Sequence, residues 1–319
     1  MALGLGAFAT PFASFAQQAT KVHRLAFLGT GAAGSNQDFI DQVRESLHNL
    51  GYIEGKSIVF DVRYAEGRPE RLQALAAELV ALKPDVFVSG ATPGTRAAKQ
   101  ATNIIPIVMV GVSDPVGAGF VASLAHPGGN ITGIANLGLD TAAKPLEFLH
   151  IVAPKATRIA VLLPDNPAIP AVLKAIQEAA LGLRLGIQPT TVTTPDEIEA
   201  AFATMAKERA EALVVIADSI TMVNRKRIAE LAAAAKLPAI YQYQAQVEAG
   251  GLLSYGPNPR DLEKTVANYI DKILKGAKPG ELPVQQPTEF ELVINMKTAK
   301  ELGITFPREI LLRADKKIE

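Results

Sequence analysis

Residues able to hold a small charged guest recur in this sequence at one kind of place, just past short apolar runs. Thr30 and Gly31 follow Val22–Leu28, Ala91 and Thr92 follow Asp85–Ser89, and Ser113 and Asp114 follow Pro106–Val110. Asn136 lies beyond the extended Ile131–Gly133. Asp165 and Asn166 come after Arg158–Leu163, Asp218 and Ser219 after Ala212–Ala217, and Tyr241 and Gln242 close Pro238–Tyr241, with Tyr255 at the end of Gly251–Tyr255. Hydroxyls and free backbone amides at a helix start suit a carboxylate. An aspartate accepts charge-assisted hydrogen bonds from an ammonium, each roughly 1.5–3 kcal/mol, and Asp218 is the first choice for that role. Tyrosine adds an apolar face with a polar tip. Each candidate also has a structural reading. Thr92 caps a helix, Asp114 caps the turn that Pro115 and Gly117 require, Asp218 caps a helix from Met222 four residues on, and the tyrosines plug edges.

Catalytic groupings are absent from the pattern. The four histidines, His23, His48, His126 and His150, are scattered, and there is no cysteine, no G-x-S-x-G and no G-x-x-x-x-G-K-[ST]. Gly29-Thr30-Gly31-Ala32-Ala33-Gly34 matches G-x-G-x-x-G, which would serve a nicotinamide nucleotide in a two-lobed enzyme. That site wants a helix starting inside the motif and an acid at the end of the second strand. Here helical periodicity starts near Asp38, and Asp61 sits within its strand between Phe60 and Val62. The expectation is a binding protein that is not an enzyme, with no cofactor and no metal; the nucleotide enzyme is the alternative.

The elements that position these residues alternate. The strands named above are β-branched and short, as buried parallel strands are. Between them, Asp38–Leu50, Pro69–Leu82 and Thr95–Ala101 carry helical spacing, and an amphipathic segment surrounds Phe120–Leu124. The second half repeats the order, with helices over Ala168–Arg184, Asp196–Arg209 (capped by Thr194) and Met222–Ala235, and a strand over Ile187–Val192. The spacing predicts an α/β protein of two doubly wound lobes. A tail of strand Gly251–Tyr255, helix Asp261–Leu274, strand Phe290–Asn295 and helix Lys297–Leu302 is too small for a third core, so it must return to both lobes. This predicts lobe 1 from 21–135 with 257–287 and lobe 2 from 136–256 with 288–319. Hinge strands near Gly133–Leu137, Ser254–Pro257 and Pro287–Glu289 would flank a cleft between the lobes.

The 319 residues carry 32 basic and 32 acidic side chains, which gives no footprint for a nucleic acid. Met1–Ala16 is apolar, uncharged and too broken by Gly and Pro to span a bilayer comfortably. Ser14-Phe15-Ala16 fits a signal-peptidase site, although no basic residue precedes it. The expectation is a periplasmic protein with an N-terminal signal peptide and, lacking cysteine, no lipid anchor; a neutral chain with such a hinge points to a monomer.

Four segments together carry a family resemblance. Gly51–Asp85, GYIEGKSIVFDVRYAEGRPERLQALAAELVALKPD, Ser113–Gly133, SDPVGAGFVASLAHPGGNITG, GGLLSYGPN at Gly250–Asn258, and NMKTAKELGITFP at Asn295–Pro307 resemble the TrpX-like family of ABC transporter substrate-binding proteins. The resemblance covers nearly all of Val22–Glu319. It implies a periplasmic binding fold of type I, a small solute, an amino acid or related carboxylate, held between two lobes, and delivery to a membrane permease driven by its ATPase. A ligand-sensing receptor domain would share the site without the permease.

Overall fold

The computed structural model describes residues 21–32, 37–136, 144–165 and 169–319. Two sheets carry the chain. The first has strand order β2-β1-β3-β4-β5, formed by β1 (His23–Gly29), β2 (Ile58–Tyr64), β3 (Val86–Gly90), β4 (Ile107–Val112) and β5 (Ile131–Ala135). All its pairings are parallel. Its strands read as apolar runs because helices cover both faces. Alternation along β4 shows it, with Ile107 and Met109 packing among Leu75, Leu79 and Ala98, and Val108 facing Val43, Leu47 and Ile270 on the other side.

The second sheet has order β12-β11-β10-β9-β8-β6-β7. Its strands are β6 (Arg158–Pro164), β7 (Gly186–Val192), β8 (Ala212–Val215), β9 (Ala239–Tyr241), β10 (Leu253–Pro257), β11 (Phe290–Asn295) and β12 (Lys316–Ile318). Among the described strands only β10 and β11 pair antiparallel. That reversal follows from the path of the tail. The helix Pro259–Leu274 puts Val266, Ala267, Ile270 and Ile273 into the first sheet's core. Gln285 then bonds alongside β5, with Ala135 N donating to Gln285 O at 2.9 Å, before β11 runs back beside β10. The chain thus passes between the sheets after Ala135, after Pro257 and between Gln285 and Phe290.

Several element limits differ from the sequence reading. The helix expected over Thr95–Ala101 begins at Ala91, with Gly90 as N-cap and no side-chain cap, so Thr92 does not cap it. Thr194 likewise makes no side-chain cap bond; it precedes a 3-10 turn, Pro195–Glu197, that leads into the helix Ile198–Lys207. The helix expected from Met222 is two helices, Ser219–Val223 and Arg225–Ala234. Phe120 and Val121 are buried, but their segment is a series of turns. Helices at Lys144–Val152, Gln244–Glu248 and Arg308–Arg313, and β12, were not anticipated.

Candidate functional site

The C-terminal ends of both sheets' parallel strands face one cleft, and the site grows from what stands there. Its deepest part is a partly enclosed pocket. The helices Lys144–Val152 and Ile169–Leu183 contribute Pro145, Ile169 and Val172. The end of β8 and the residues after it contribute Val214 to Ala217, and β9 contributes Ile240. Ser113 and Asn136 come from the first sheet's side, and Gln242 completes the lining. No described lining residue is charged.

One polar corner breaks this apolar wall. Asn136 N donates to Val112 O at 2.6 Å, fastening it to β4. Its side-chain Oδ1 accepts from Gln242 Nε2 at 3.0 Å and from the Tyr243 hydroxyl at 3.2 Å. Gln242 Oε1 accepts from Ala217 N at 3.3 Å. Gln246 Oε1 steadies the turn by accepting from the N–H groups of Gln242 and Tyr243. Burial pushes the Tyr243 phenol up to about 12, so it stays a neutral donor at any physiological pH.

Toward the outside, the two sheets' loops touch. Thr30, Gly67, Pro69 and Pro93 on one side and Pro195, Ser219, Ile220 and Val223 on the other line a second, narrower gap. The Gly67 loop is tied down by hydrogen bonds from Glu66 N to Gly31 O and from Gly67 N to Thr30 O, both 3.0 Å.

The sequence candidates divide accordingly. Ser113, Asn136, Tyr241 and Gln242 border the deep pocket, while Thr30 and Ser219 line the outer gap. Gly31 is buried beneath that gap. Ala91 and Thr92 open the helix after β3, and Ala91 holds φ +55, a left-handed value strained for any residue with a Cβ. Asp165 is exposed past β6; Asn166 lies outside the described residues. Asp114 is exposed, and its Oδ1 accepts from Gly117 N at 2.8 Å, the turn-capping arrangement. Asp218 is the N-cap of Ser219–Val223. Its Oδ1 accepts from Ile220 N at 3.0 Å and from the Ser219 hydroxyl at 3.2 Å. The four-residue gap inferred from the sequence does not exist, because the helix starts at once.

Two tyrosines are mainly packing. Tyr241 borders the pocket, yet its side chain is 1% exposed and packs with Leu213, Val215 and Ala239 on the sheet face opposite Val214 and Ile240. Tyr255 lies between Phe148, 4.8 Å between ring centroids, and Phe290, 5.7 Å and stacked. The aliphatic wall was the part sequence reasoning missed. Its signal in the sequence is the apolar run Ala212–Ala217, which carries on past the end of β8 at Val215.

The G-x-G-x-x-G stretch does not build a dinucleotide site in its described part. The next helix begins at Gln37, beyond the motif, and Asp61 lies within β2 beside Arg24, 3.5 Å away. Among the described residues no group of His, Cys, Asp and Glu is placed to hold a metal ion, and no helix is long and apolar enough to cross a membrane.

Comparison with known proteins gives a consistent set of likenesses. A family described as ABC transporter substrate binding protein matches residues 34–318. A tyrosine-binding protein of Clostridioides difficile (strain R20291) is 28% identical over 262 residues, 82% of this chain and 75% of that protein. The solved structure of an ABC domain in complex with L-Trp from Streptococcus pneumonia is 27% identical, with TM-score 0.87 over 93% of this chain and 100% of that one. A substrate binding protein with adhesive properties from Clostridium difficile, in its ligand-free, open structure, is 26% identical over the same shares, with TM-score 0.69. At nearly equal identity, the arrangement here is closer to the complex than to the open structure.

Proposed function

The chain belongs to the ABC transporter substrate binding protein family, and from that premise we propose that it binds an amino acid with an uncharged, largely apolar side chain and presents it to a membrane permease. The observation that carries this reading is the pocket itself: an aliphatic wall, no charged lining residue among those described, and one amide corner between two sheets. Burying a charged side chain there would cost several kcal/mol without a partner. The names of similar proteins, tyrosine-binding and in complex with L-Trp, support the same class of guest.

In this reading the guest's charged ends lie at the rim of the deep pocket, where Ser113 borders it, and beyond. The amides at Ala91 and Thr92 and the Ser113 hydroxyl take the carboxylate, and the Asp218 carboxylate takes the ammonium. The lobes are 21–135 with 257–287 and 136–256 with 288–319, and they rock about the crossings. A guest touching both lobes binds the closed arrangement more tightly and shifts its population. The protein works outside the cytoplasmic membrane after export, as a monomer, without a cofactor and without catalysis. Its partners are the permease and the ATPase that drives it.

Titration calorimetry over the twenty amino acids tests the reading. Binding confined to apolar and aromatic members is the expected result. Binding of acidic or basic members alone, or of none, overturns it.

A further inference from the structure

The first crossing between the sheets is fastened from both sides. Asn136 N donates to Val112 O at the end of β4, 2.6 Å, one residue after Ala135 N donates to Gln285 O at 2.9 Å. The main chain up to Asn136 is therefore fixed to the first sheet. Its side chain reaches the other way. Asn136 Oδ1 accepts from Gln242 Nε2 at 3.0 Å and from the Tyr243 hydroxyl at 3.2 Å, both just past the end of β9. Gln242 in turn accepts from Ala217 N, past the end of β8, at 3.3 Å. One side-chain oxygen thus holds the second sheet's strand ends against the first sheet, at the point where the chain leaves it.

We propose that Tyr243 is a positioning residue for closure, acting through Asn136; the inference deepens the solute-binding reading and rests on its closing motion. Rotation about the first crossing carries Tyr243 with β9 and leaves Asn136 with β4. A hydrogen bond of 3.2 Å is lost within about half an ångström of further separation. The Tyr243 bond therefore belongs to the arrangement seen here, which is nearer to the L-Trp complex than to the ligand-free, open structure. Asn136 and Gln242 border the deep pocket, and Tyr243 is not among its lining residues. Tyr243 favours the closed form without touching the guest, and so it favours closure equally for every guest.

The test compares Tyr243→Phe, Asn136→Ala and the double variant with the unaltered protein, all as the full chain. The sequence has no cysteine, so Glu70→Cys and Asp196→Cys, exposed beside Pro69 and Pro195 of the outer gap, place one spin label on each side. Pulsed electron resonance reads the label distance without a guest, and calorimetry reads affinity for L-tyrosine, L-phenylalanine and L-leucine. In Tyr243→Phe the closing equilibrium should fall roughly 2- to 10-fold, the range of one net hydrogen bond. The fall shows as longer label distances where the guest-free protein is partly closed, and as one common rise in all dissociation constants where it is open. Asn136→Ala removes both bonds and should lengthen the distances at least as far. In its background Tyr243→Phe should add nothing. Melting curves show which variants are folded, and either single variant decides the matter. A merely structural role lowers the melting midpoint and leaves distances and affinities unchanged, which overturns the inference. So does a factor that differs among the guests, which would place Tyr243 on the guest, or full additivity in the double variant. If the unaltered protein binds no amino acid, the amino-acid reading falls, and the label distances still decide this inference.

Discussion

Val223 stands against Gly67 across the cleft: a Cβ built on Gly67 would lie 3.5 Å from Val223 Cγ1 and 3.9 Å from its Cγ2. Gly67 belongs to the loop after β2 and Val223 to the short helix that Asp218 caps, so the two sheets' loops approach each other here, outside the deep pocket. Its surroundings are mostly apolar, with Leu72, Pro69 and Pro93 on one side and Ile220 and Pro195 on the other, beside the polar Thr30, Ser219 and Asn224. Gly67 holds φ +69, a conformation glycine adopts freely, which lets the loop lie flat against the helix.

In the proposed closing motion, this approach belongs to the closed population and favours it. Val223→Asp places a charge in that seam and should open it. The apparent dissociation constant rises as the closed fraction falls, by roughly tenfold for about 1.4 kcal/mol lost. Stopped-flow measurements should show the loss mainly in the dissociation rate, and small-angle scattering should show a larger radius of gyration. A variant with unaltered affinity and shape would remove the seam from the mechanism.

Gly256 is held by space. A Cβ there would lie 1.7 Å from Gln242 O and 2.9 Å from Gln242 C. Both are backbone atoms, so the β10 strand or the turn after β9 would have to move. Gly256→Ala should lower stability by about 1–3 kcal/mol, the usual scale of overpacking. It should also displace the residue that orients the amide corner. The expected result is a lower melting midpoint together with weakened binding, measured on the same preparation. A variant that melts lower yet binds unchanged would detach the corner from the pocket.

Much of the architecture was legible because alternation and helical spacing report burial directly. Phe290–Asn295 is a strand with the limits read from the sequence, and the helix read as Asp261–Leu274 is found at Pro259–Leu274. The site was less legible, since a strand tip and a cap present the same residue types. Asp218 shows why: in sequence it precedes a polar-looking Ser-Ile-Thr, and only the fold reveals that Ser219 already begins a helix. Tyr241 shows the other difficulty. Its place at a strand end is readable, but which sheet face receives its ring depends on register with β8 and β10.

Glu291 supplies a pH dependence. It lies on β11 opposite Gly256, half-buried, with its Oε1 buried and without a partner among the described residues. Burial first, then the neighbouring Asp315 and Glu248, pushes its carboxyl above the ordinary value of 4.5, against the opposing pull of Lys316 and Arg260. A carboxyl whose pKa is raised on folding favours the folded state while protonated and loses that contribution as pH rises through the folded value. Glu291→Gln should therefore raise the melting midpoint at pH 7, and the gain should vanish below the unfolded-state pKa, about 4.3. Melting curves from pH 4 to pH 8 check the sign. A gain that persists at pH 4 would place its cause outside this ionisation.

Asp218 is the N-cap of Ser219–Val223 and the proposed partner of the ammonium, and a pair of substitutions can separate the two. As N-cap it accepts from Ile220 N, while the Thr221 hydroxyl returns to its backbone, accepting from Asp218 N at 2.9 Å. An asparagine retains a cap acceptor and an alanine does not. Asp218→Ala should cost about 0.5–2 kcal/mol of stability, and Asp218→Asn much less. Affinity follows charge instead of capping if the carboxylate meets an ammonium. Asp218→Asn should then weaken amino-acid binding nearly as much as Asp218→Ala, by roughly 10-fold or more for a charge-assisted bond. The weakening should be absent for a guest that lacks the ammonium, such as the corresponding 3-aryl propionate. If Asp218→Asn binds amino acids as the unaltered protein does, the residue is a cap alone, and the ammonium's partner must be sought elsewhere along the cleft.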